Sequence, residues 1–135
     1  MDKARILVVE DESLLAEDIQ ERLKNLGYEV AAVALSGEEA LARVAAAQPD
    51  LVLMDIQMPE MDGFDATASI RANEQITGDH IPIIAMTAHA MTGDRERCMN
   101  AGFDGYVSKP IQIAELSATI NAVRQPPARA ISEPV

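Results

Sequence analysis

Five short apolar runs alternate along the chain with stretches of helical periodicity, and this alternation constrains the fold more than any other feature. Several runs are apolar at almost every position, which is typical of parallel strands covered on both faces. The predicted strands are Arg5–Glu10, Tyr28–Leu35, Leu51–Asp55, Ile81–Thr87 and Gly105–Ser108. Because strands and helices alternate with short connections, we predict one α/β domain built around a parallel sheet.

Signals at the helix ends fix the predicted boundaries. Asp11, Glu12 and Ser13 can cap the first helix, and Ser36 to Glu39 form a capping box for the second. We predict that the third helix runs from Gly63 to about Asn73 and that a polar loop, Gln75 to Asp79, follows it. The fourth should begin at Thr92 or Gly93 and stop at Gly102. Inward positions are predicted at Leu15, Ile19, Leu23, Leu26, Ala40, Leu41, Val44, Ala47, Phe64, Ala68, Ile70, Ile113, Leu116, Ile120 and Val123.

Composition narrows the class of protein. With 135 residues, 48% of them hydrophobic, the chain is long enough to bury a core. A single cysteine allows no internal disulfide, and no apolar run approaches the length of a membrane span, so we expect a cytoplasmic domain. Residues 125–135 contain three prolines and are predicted to form a flexible tail or linker after a domain of residues 1–124.

The net charge of -11 restricts the partners. Phosphate backbones and anionic membranes bind clustered Lys and Arg, which an acidic surface does not offer. We therefore expect neither nucleic acid nor membrane to be a partner of this domain.

Polar residues follow the ends of four predicted strands. Glu10 ends the first strand and Asp11 follows it, Asp55 ends the third, Thr87 ends the fourth and Lys109 follows the fifth. Since the carboxyl ends of parallel strands share one edge of a sheet, where ligands bind in open α/β folds, these side chains are expected to converge.

Three carboxylates at one edge would repel each other. Two unit charges about 4 Å apart repel by roughly 4 kcal/mol at an effective dielectric constant near 20. The converging acids must therefore take up protons or bind a cation. With only oxygen ligands available, Mg²⁺ fits best, and Mn²⁺ would also fit. The alternative interpretation is structural: Asp11 and Glu12 cap a helix, and Asp55 pairs with Lys109.

A metal ion, an ammonium group and a hydroxyl can together serve phosphoryl transfer. The cations neutralise phosphoryl oxygens, the threonine hydroxyl donates a hydrogen bond, and an aspartate carboxylate can be the nucleophile. Asp55 has the central position among the strand ends and is the candidate nucleophile.

Four motifs in this order resemble the response-regulator receiver domains of two-component signalling, over residues from about 5 to 124. They are Val-Val-Glu10-Asp11-Glu, Leu-Met-Asp55-Ile-Gln-Met-Pro-Glu-Met-Asp-Gly63, Ile-Ala-Met-Thr87-Ala and Gly-Tyr106-Val-Ser-Lys109-Pro110. The segment from Ile81 to Ile111 is also similar to receivers of hybrid sensor kinases. The resemblance implies a flavodoxin-like (βα)5 fold with a five-stranded parallel sheet of order 2-1-3-4-5 and helices on both faces.

The resemblance also implies roles for individual residues. Asp55 would be the phosphoacceptor, and Mg²⁺ would be bound by Asp11, Asp55 and the main-chain carbonyl of Gln57. Glu10, where the family often has Asp, would act mainly through a metal-bound water. Further roles are implied for Lys109, which would pair with the phosphoryl group, and for Thr87 and Tyr106, which would rearrange as the switch. The Lys109–Pro110 peptide is expected to be cis.

The implied function is that of a phosphoacceptor switch rather than an enzyme. A histidine kinase or histidine phosphotransfer protein would donate the phosphoryl group, and the surface of helix 4, strand 5 and helix 5 would change for an unknown downstream partner. The position of the first strand close to Met1 favours a stand-alone receiver, or one placed first in a longer protein.

Two other functions stay open. One is a phosphatase that forms an aspartyl phosphate, although Gln57 stands where such enzymes carry an acidic proton donor. The other is a nucleotide- or flavin-binding module, although Glu10, Asp11 and Glu12 would repel phosphate after the first strand. Among the remaining residues, His80 is predicted to be exposed, Cys98 to be half-buried, and His89 to lie near the pocket.

Overall fold

A computed structural model describes residues 4–88 and 94–124, the side chains of 94 and 95 excepted. Its strands are β1 (Arg5–Val9), β2 (Glu29–Ala34), β3 (Leu51–Asp55), β4 (Ile83–Thr87) and β5 (Gly105–Ser108), and its helices are α1 (Ser13–Asn25), α2 (Gly37–Ala47), α3 (Gly63–Thr77), α4 (Asp94–Asn100) and α5 (Ile113–Arg124). The strands pair in parallel in the order β2-β1-β3-β4-β5, which confirms the predicted fold and sheet order.

Alternation along the strands divides the core into two layers. In β1, Ile6 and Val8 belong to one cluster of buried side chains, while Leu7 and Val9 belong to the other. The first cluster includes residues of α1 and α5, and the second includes residues of α2, α3 and α4. Because both faces of the sheet are covered, β3 and β4 are buried along their whole length. This burial explains why their sequences show no polar alternation.

The predicted capping of α1 was wrong. Glu12 is the N-cap residue, and its side chain makes no capping hydrogen bond. The backbone N–H of Glu12 instead donates to Glu10 Oε2 at 3.2 Å. At α2 the capping box is confirmed, since Ser36 Oγ accepts from the N–H of Glu39 at 3.0 Å. The Glu39 carboxylate reaches back to the N–H of Leu35 at 2.9 Å.

The predicted end of α3 was also wrong, because the helix continues through Gln75 to Thr77 and ends at Gly78. A network of hydrogen bonds and ion pairs near the predicted end stabilises the additional turn. Arg71 contacts Glu74 at 2.8 Å and Asp104 at 2.7 Å, and Glu74 Oε2 accepts the N–H of Ile81 at 2.7 Å. The contact of Arg71 with Asp104 joins residues far apart in the sequence, so the local pattern could not reveal it.

Several predicted burial assignments need correction. Ala68 is exposed, because α3 turns Gly63, Ala66, Thr67 and Ile70 inward instead. Ile113 is 41% exposed, and Ile111, before the helix, occupies the core. Cys98 was predicted to be half-buried and is fully buried. A further group, His80, is exposed as predicted but also lies 2.8 Å from Asp104.

Some predictions lie outside the described residues: the start of the fourth helix at Thr92 or Gly93, the position of His89, and the tail of residues 125–135. The predicted cis peptide between Lys109 and Pro110 is confirmed. Among the described residues, no helix is both long enough and apolar enough to cross a membrane.

Candidate functional site

Parallel pairing of β1 with β3 brings the predicted acids together. Val9 is in register with Met54, so the residues that follow, Glu10 and Asp55, are neighbours at the carboxyl edge. One carboxylate oxygen from each of Glu10, Asp11 and Asp55 lies within 4.8 Å of the other two. Glu10 and Asp55 are 1% and 2% exposed, whereas Asp11 is exposed. The cluster therefore has two buried carboxylates and one that faces solvent.

Lys109 supplies the positive charge that faces this cluster. Its Nζ lies 3.0 Å from Glu10 Oε1 and 3.2 Å from Asp55 Oδ1. The lysine is placed by β5 and by its own backbone, because its N–H donates to the carbonyl of Thr87 at 2.8 Å. The pair of Asp55 with Lys109, which the structural alternative required, is thus present. The convergence of three acids is present as well, and the alternative does not account for it.

The pKa values of two groups show the electrostatic consequence. Burial raises the pKa of Glu10 to about 7, and the negative charge of Asp55 adds to this effect, while the hydrogen bond with Lys109 opposes it. Burial lowers the pKa of Lys109, but the hydrogen bond with Glu10 and the charge of Asp55 outweigh it, so the pKa lies above its usual value. Lys109 is therefore a cation in a pocket that holds more negative charge than one lysine offsets.

The chemistry of the ligand set fits a hard divalent cation. All three converging groups offer oxygen, and no His or Cys joins them among the described residues. Mg²⁺ is bound in this way, through one or two carboxylates and several waters. The exposed position of Asp11 leaves one side of the cluster accessible to a hydrated ion.

The loop after β3, residues 56–62, shapes the other side of the site. The N–H of Gln57 donates to Asp55 Oδ1 at 3.1 Å. Gly63 is required by close approach, since a Cβ there would lie 2.5 Å from the carbonyl oxygen of Asp55. Asp62 caps α3 by accepting from the N–H of Asp65 at 2.9 Å. The loop is therefore fixed against the strand that carries the candidate nucleophile.

Thr87 and Tyr106 lie on adjacent strands. Thr87 ends β4 with 1% exposure, and Tyr106 is half-buried in β5, opposite Ala85. A cavity of about 590 Å³ opens beside Thr87 and is lined by Ile56, Gln57, Met58, Pro59, Asp62, Phe64, Thr87 and Arg97. Among these, the Arg97 guanidinium lies 4.9 Å from the centre of the Phe64 ring. This contact joins α4 to α3, and periodicity could not reveal it.

A sequence model of the response regulator receiver domain matches residues 6–121. The chain belongs to this family. The receiver is 39% identical over 117 residues to the polar-differentiation response regulator DivK of Brucella ovis, covering 87% of this chain and 93% of that protein. It is also 41% identical over 122 residues to the hybrid signal transduction histidine kinase I of Dictyostelium discoideum. That match covers 87% of this chain but spans only 7% of the kinase.

Solved structures support the same assignment. A response regulator from Chloroflexus aurantiacus superposes with a TM-score of 0.82 at 28% identity, covering 91% of this receiver and 98% of that chain. The receiver domain of sensor histidine kinase PA1611 from Pseudomonas aeruginosa has a TM-score of 0.78 at 40% identity, with coverage of 91% and 98%. In that structure a magnesium ion is coordinated in the active site cleft.

Proposed function

We propose that this receiver domain is a phosphoacceptor switch in which Asp55 accepts a phosphoryl group from a phosphohistidine in a Mg²⁺-dependent reaction. The observation that carries the proposal is the convergence of Glu10, Asp11 and Asp55 at 4.8 Å or less, with Lys109 in contact with two of them. The donor would be a histidine kinase or a histidine phosphotransfer protein, the partners with which receiver domains interact.

The transfer would proceed by direct displacement. A carboxylate oxygen of Asp55 attacks the phosphorus, the new O–P bond forms as the P–N bond breaks, and the imidazole nitrogen keeps the electron pair. The Lys109 ammonium already lies 3.2 Å from Asp55 Oδ1, so it can contact a phosphoryl oxygen with little movement. Burial of Asp55 strengthens this contact, since charge interactions weaken in bulk water.

The residues that would hold Mg²⁺ are Asp11, Asp55 and the main-chain carbonyl of Gln57, with Glu10 acting through water. When bound, Mg²⁺ supplies the positive charge that the transferring phosphoryl oxygens require. Mn²⁺ would fit the same oxygen ligands. Before transfer, Glu10 holds the Lys109 ammonium at 3.0 Å and so positions it next to Asp55.

Phosphorylation would then change the surface formed by α4, β5 and α5. The Thr87 hydroxyl would move to the phosphoryl group, and Tyr106 would change rotamer in the space released. Support comes from the placement of Thr87 and Tyr106 on adjacent strands beneath this surface. The change is a population shift between two packings, and a downstream protein would recognise it.

Three other expectations stay predictions. They are the cytoplasmic location, the lack of nucleic-acid and membrane partners, and the division of the chain at residue 124.

The experiment is phosphorylation by phosphoramidate with and without Mg²⁺, followed by intact-mass measurement. We expect one added phosphoryl group in the wild type, none after Asp55→Asn, and none when EDTA removes the metal. Asp65→Asn is the matched control, because Asp65 is an exposed acid in the first turn of α3 and should not affect labelling. Labelling that persists in Asp55→Asn would exclude Asp55 as the acceptor. Continuous release of phosphate from simple esters would favour a phosphatase.

A further inference from the structure

Gly37, the first residue of α2, packs against the loop of residues 56–62 without contributing any group to the site. It is buried, and a Cβ at this position would lie 2.5 Å from the carbonyl oxygen of Met61, 2.7 Å from its Cγ and 2.9 Å from its Cβ. Real Cβ atoms essentially never approach other atoms within 3.0 Å. Side-chain rotation of Met61 could not remove the contact with its backbone oxygen. Any side chain at position 37 must therefore displace the loop or the helix.

Conformation does not explain this glycine. Gly37 does not have the positive φ of Gly27, Gly78 and Gly102. Glycine in a helix also costs stability relative to alanine, because it loses more backbone freedom on folding. The close approach of Met61 is thus the structural reason for glycine at this position.

The loop of residues 56–62 is anchored at both ends, so a displacement at Met61 would reach the site. At its start, the N–H of Ile56 donates to the carbonyl of Met86 at 3.2 Å. At its end, Gly63 lies against the carbonyl of Asp55, where a Cβ would come within 2.5 Å. Between these anchors stands Gln57, whose N–H is bonded to Asp55 Oδ1. Any displacement of Met61 must therefore be accommodated by the few residues between the two fixed ends of the loop.

The junction between β2 and α2 also supports the opposite side of the acid cluster. The N–H of Glu10 donates to the carbonyl of Ala34 at 3.0 Å. Two bonds hold the junction itself, from Glu39 N–H to Ser36 Oγ and from Leu35 N–H to the Glu39 carboxylate. Residues 34–37 therefore contact both the backbone of Glu10 and the loop of residues 56–62, although strand β2 contributes no acid to the cluster of Glu10, Asp11 and Asp55.

We propose that Gly37 is a positioning residue for the metal and phosphoryl site: the absence of a side chain there lets α2 hold Met61, and through it the loop of residues 56–62, where the Gln57 carbonyl and Asp55 can bind Mg²⁺ together. This proposal rests on the proposed function above. It assigns to the β2–α2 junction a role in the site that none of its own side chains performs.

The test compares Gly37→Ala with Gly27→Ala. Gly27 has φ +94° and no atom within 4 Å of a Cβ position, so alanine there strains the backbone far from the loop. Both variants should melt at lower temperature. Only Gly37→Ala should weaken Mg²⁺ affinity, by about tenfold, as mutations that disturb the support of metal ligands do. The affinity is measured by NMR titration of backbone amides with Mg²⁺ alone, and the phosphorylation rate is measured at saturating Mg²⁺.

Met61→Ala supplies the second variant. It removes the Cγ that meets α2 and should weaken Mg²⁺ binding a few-fold by loosening the loop, and it carries the test if Gly37→Ala does not fold. In the double variant, Met61→Ala should not restore the affinity lost in Gly37→Ala, because the contact with the backbone oxygen of residue 61 remains.

Wild-type affinity in both single variants would overturn the proposal, as would an equal loss of affinity in Gly27→Ala. If the wild type itself neither binds Mg²⁺ nor accepts phosphate, the proposed function fails instead, so the two failures are distinguishable.

Discussion

At the amino-terminal edge of the sheet, Arg71 lies 2.8 Å from Glu74 and 2.7 Å from Asp104, whereas at the carboxyl-terminal edge Lys109 faces Glu10 and Asp55 with Asp11 beside them. Both clusters combine carboxylates with one long basic side chain, and both join elements distant in the sequence. They differ in how completely their acids are satisfied.

Every carboxylate oxygen of Glu74 and Asp104 has a partner. Glu74 bonds Arg71 through Oε1 and the N–H of Ile81 through Oε2. Asp104 bonds His80 through Oδ1, and its Oδ2 accepts from both Arg71 and the N–H of Ile83. The backbone N–H groups donate hydrogen bonds to these carboxylates, so the network is complete without a bound cation.

The carboxyl-terminal edge is left with excess negative charge. Three acids meet one lysine, and burial raises the pKa of Glu10 to about 7. A charged cluster therefore indicates a binding site when its own residues cannot neutralise it, and a structural role when they can.

The largest effect on stability is expected at the amino-terminal edge. Arg71→Met should lower the free energy of unfolding by about 3 kcal/mol, because two carboxylates and the carbonyls of Gly102 and Ile81 lose a donor in a half-buried site. The stabilisation by Mg²⁺ should not change. Urea unfolding with and without Mg²⁺ measures both quantities.

Arg22→Met is the matched control for Arg71→Met, because Arg22 forms an exposed ion pair with Asp18 within α1. Such pairs contribute about 0.5 kcal/mol or less. Equal losses in the two variants would show that the Arg71 network is no more than surface charge.

An intermediate effect is expected at the carboxyl-terminal edge. Mg²⁺ at ten times its dissociation constant should stabilise the fold by about 1.4 kcal/mol, or about 4 °C in melting temperature. Asp11→Asn should reduce this increase and, without Mg²⁺, should raise stability by about 0.5 kcal/mol, since it removes a repelling charge at an exposed position. Thermal melts with and without Mg²⁺ test both expectations. A wild-type melting temperature that does not change when Mg²⁺ is added would contradict the prediction that the carboxyl-terminal edge binds a cation and the amino-terminal edge does not.

The smallest effect is expected for Glu39, an acid near the carboxyl-terminal edge whose carboxylate accepts hydrogen bonds. The N–H of Leu35 and, to a lesser extent, Arg43 lower the pKa of its carboxyl below the usual value. A lowered folded-state pKa gives stability that is present above the unfolded pKa and is lost as pH falls through the folded pKa. Glu39→Gln should therefore be slightly less stable than wild type at neutral pH and equally stable in acid. Urea midpoints over this pH range make the comparison, and a difference that persists in acid would assign the loss to packing rather than charge.

Much of the site could be predicted because it follows local pattern. Asp55 and Thr87 end apolar strands, Glu10 and Lys109 come directly after such strands, and parallel strands present their ends at one edge. Ala68 and Ile113 were wrongly predicted to be buried. Helical spacing identifies an apolar face, but neighbouring elements decide which residues at the margin of that face are covered.

The alternation of strands and helices, the parallel sheet and the set of polar residues at its carboxyl edge follow from the sequence, since each depends on a pattern within a few residues. Tertiary packing is what brings Lys109 to Glu10 as well as to Asp55, extends α3 to Thr77 and places Gly37 against Met61. These features join residues separated by tens of positions, such as Arg71 and Asp104. Their distances depend on how the helices pack onto the sheet, and no local pattern specifies that packing.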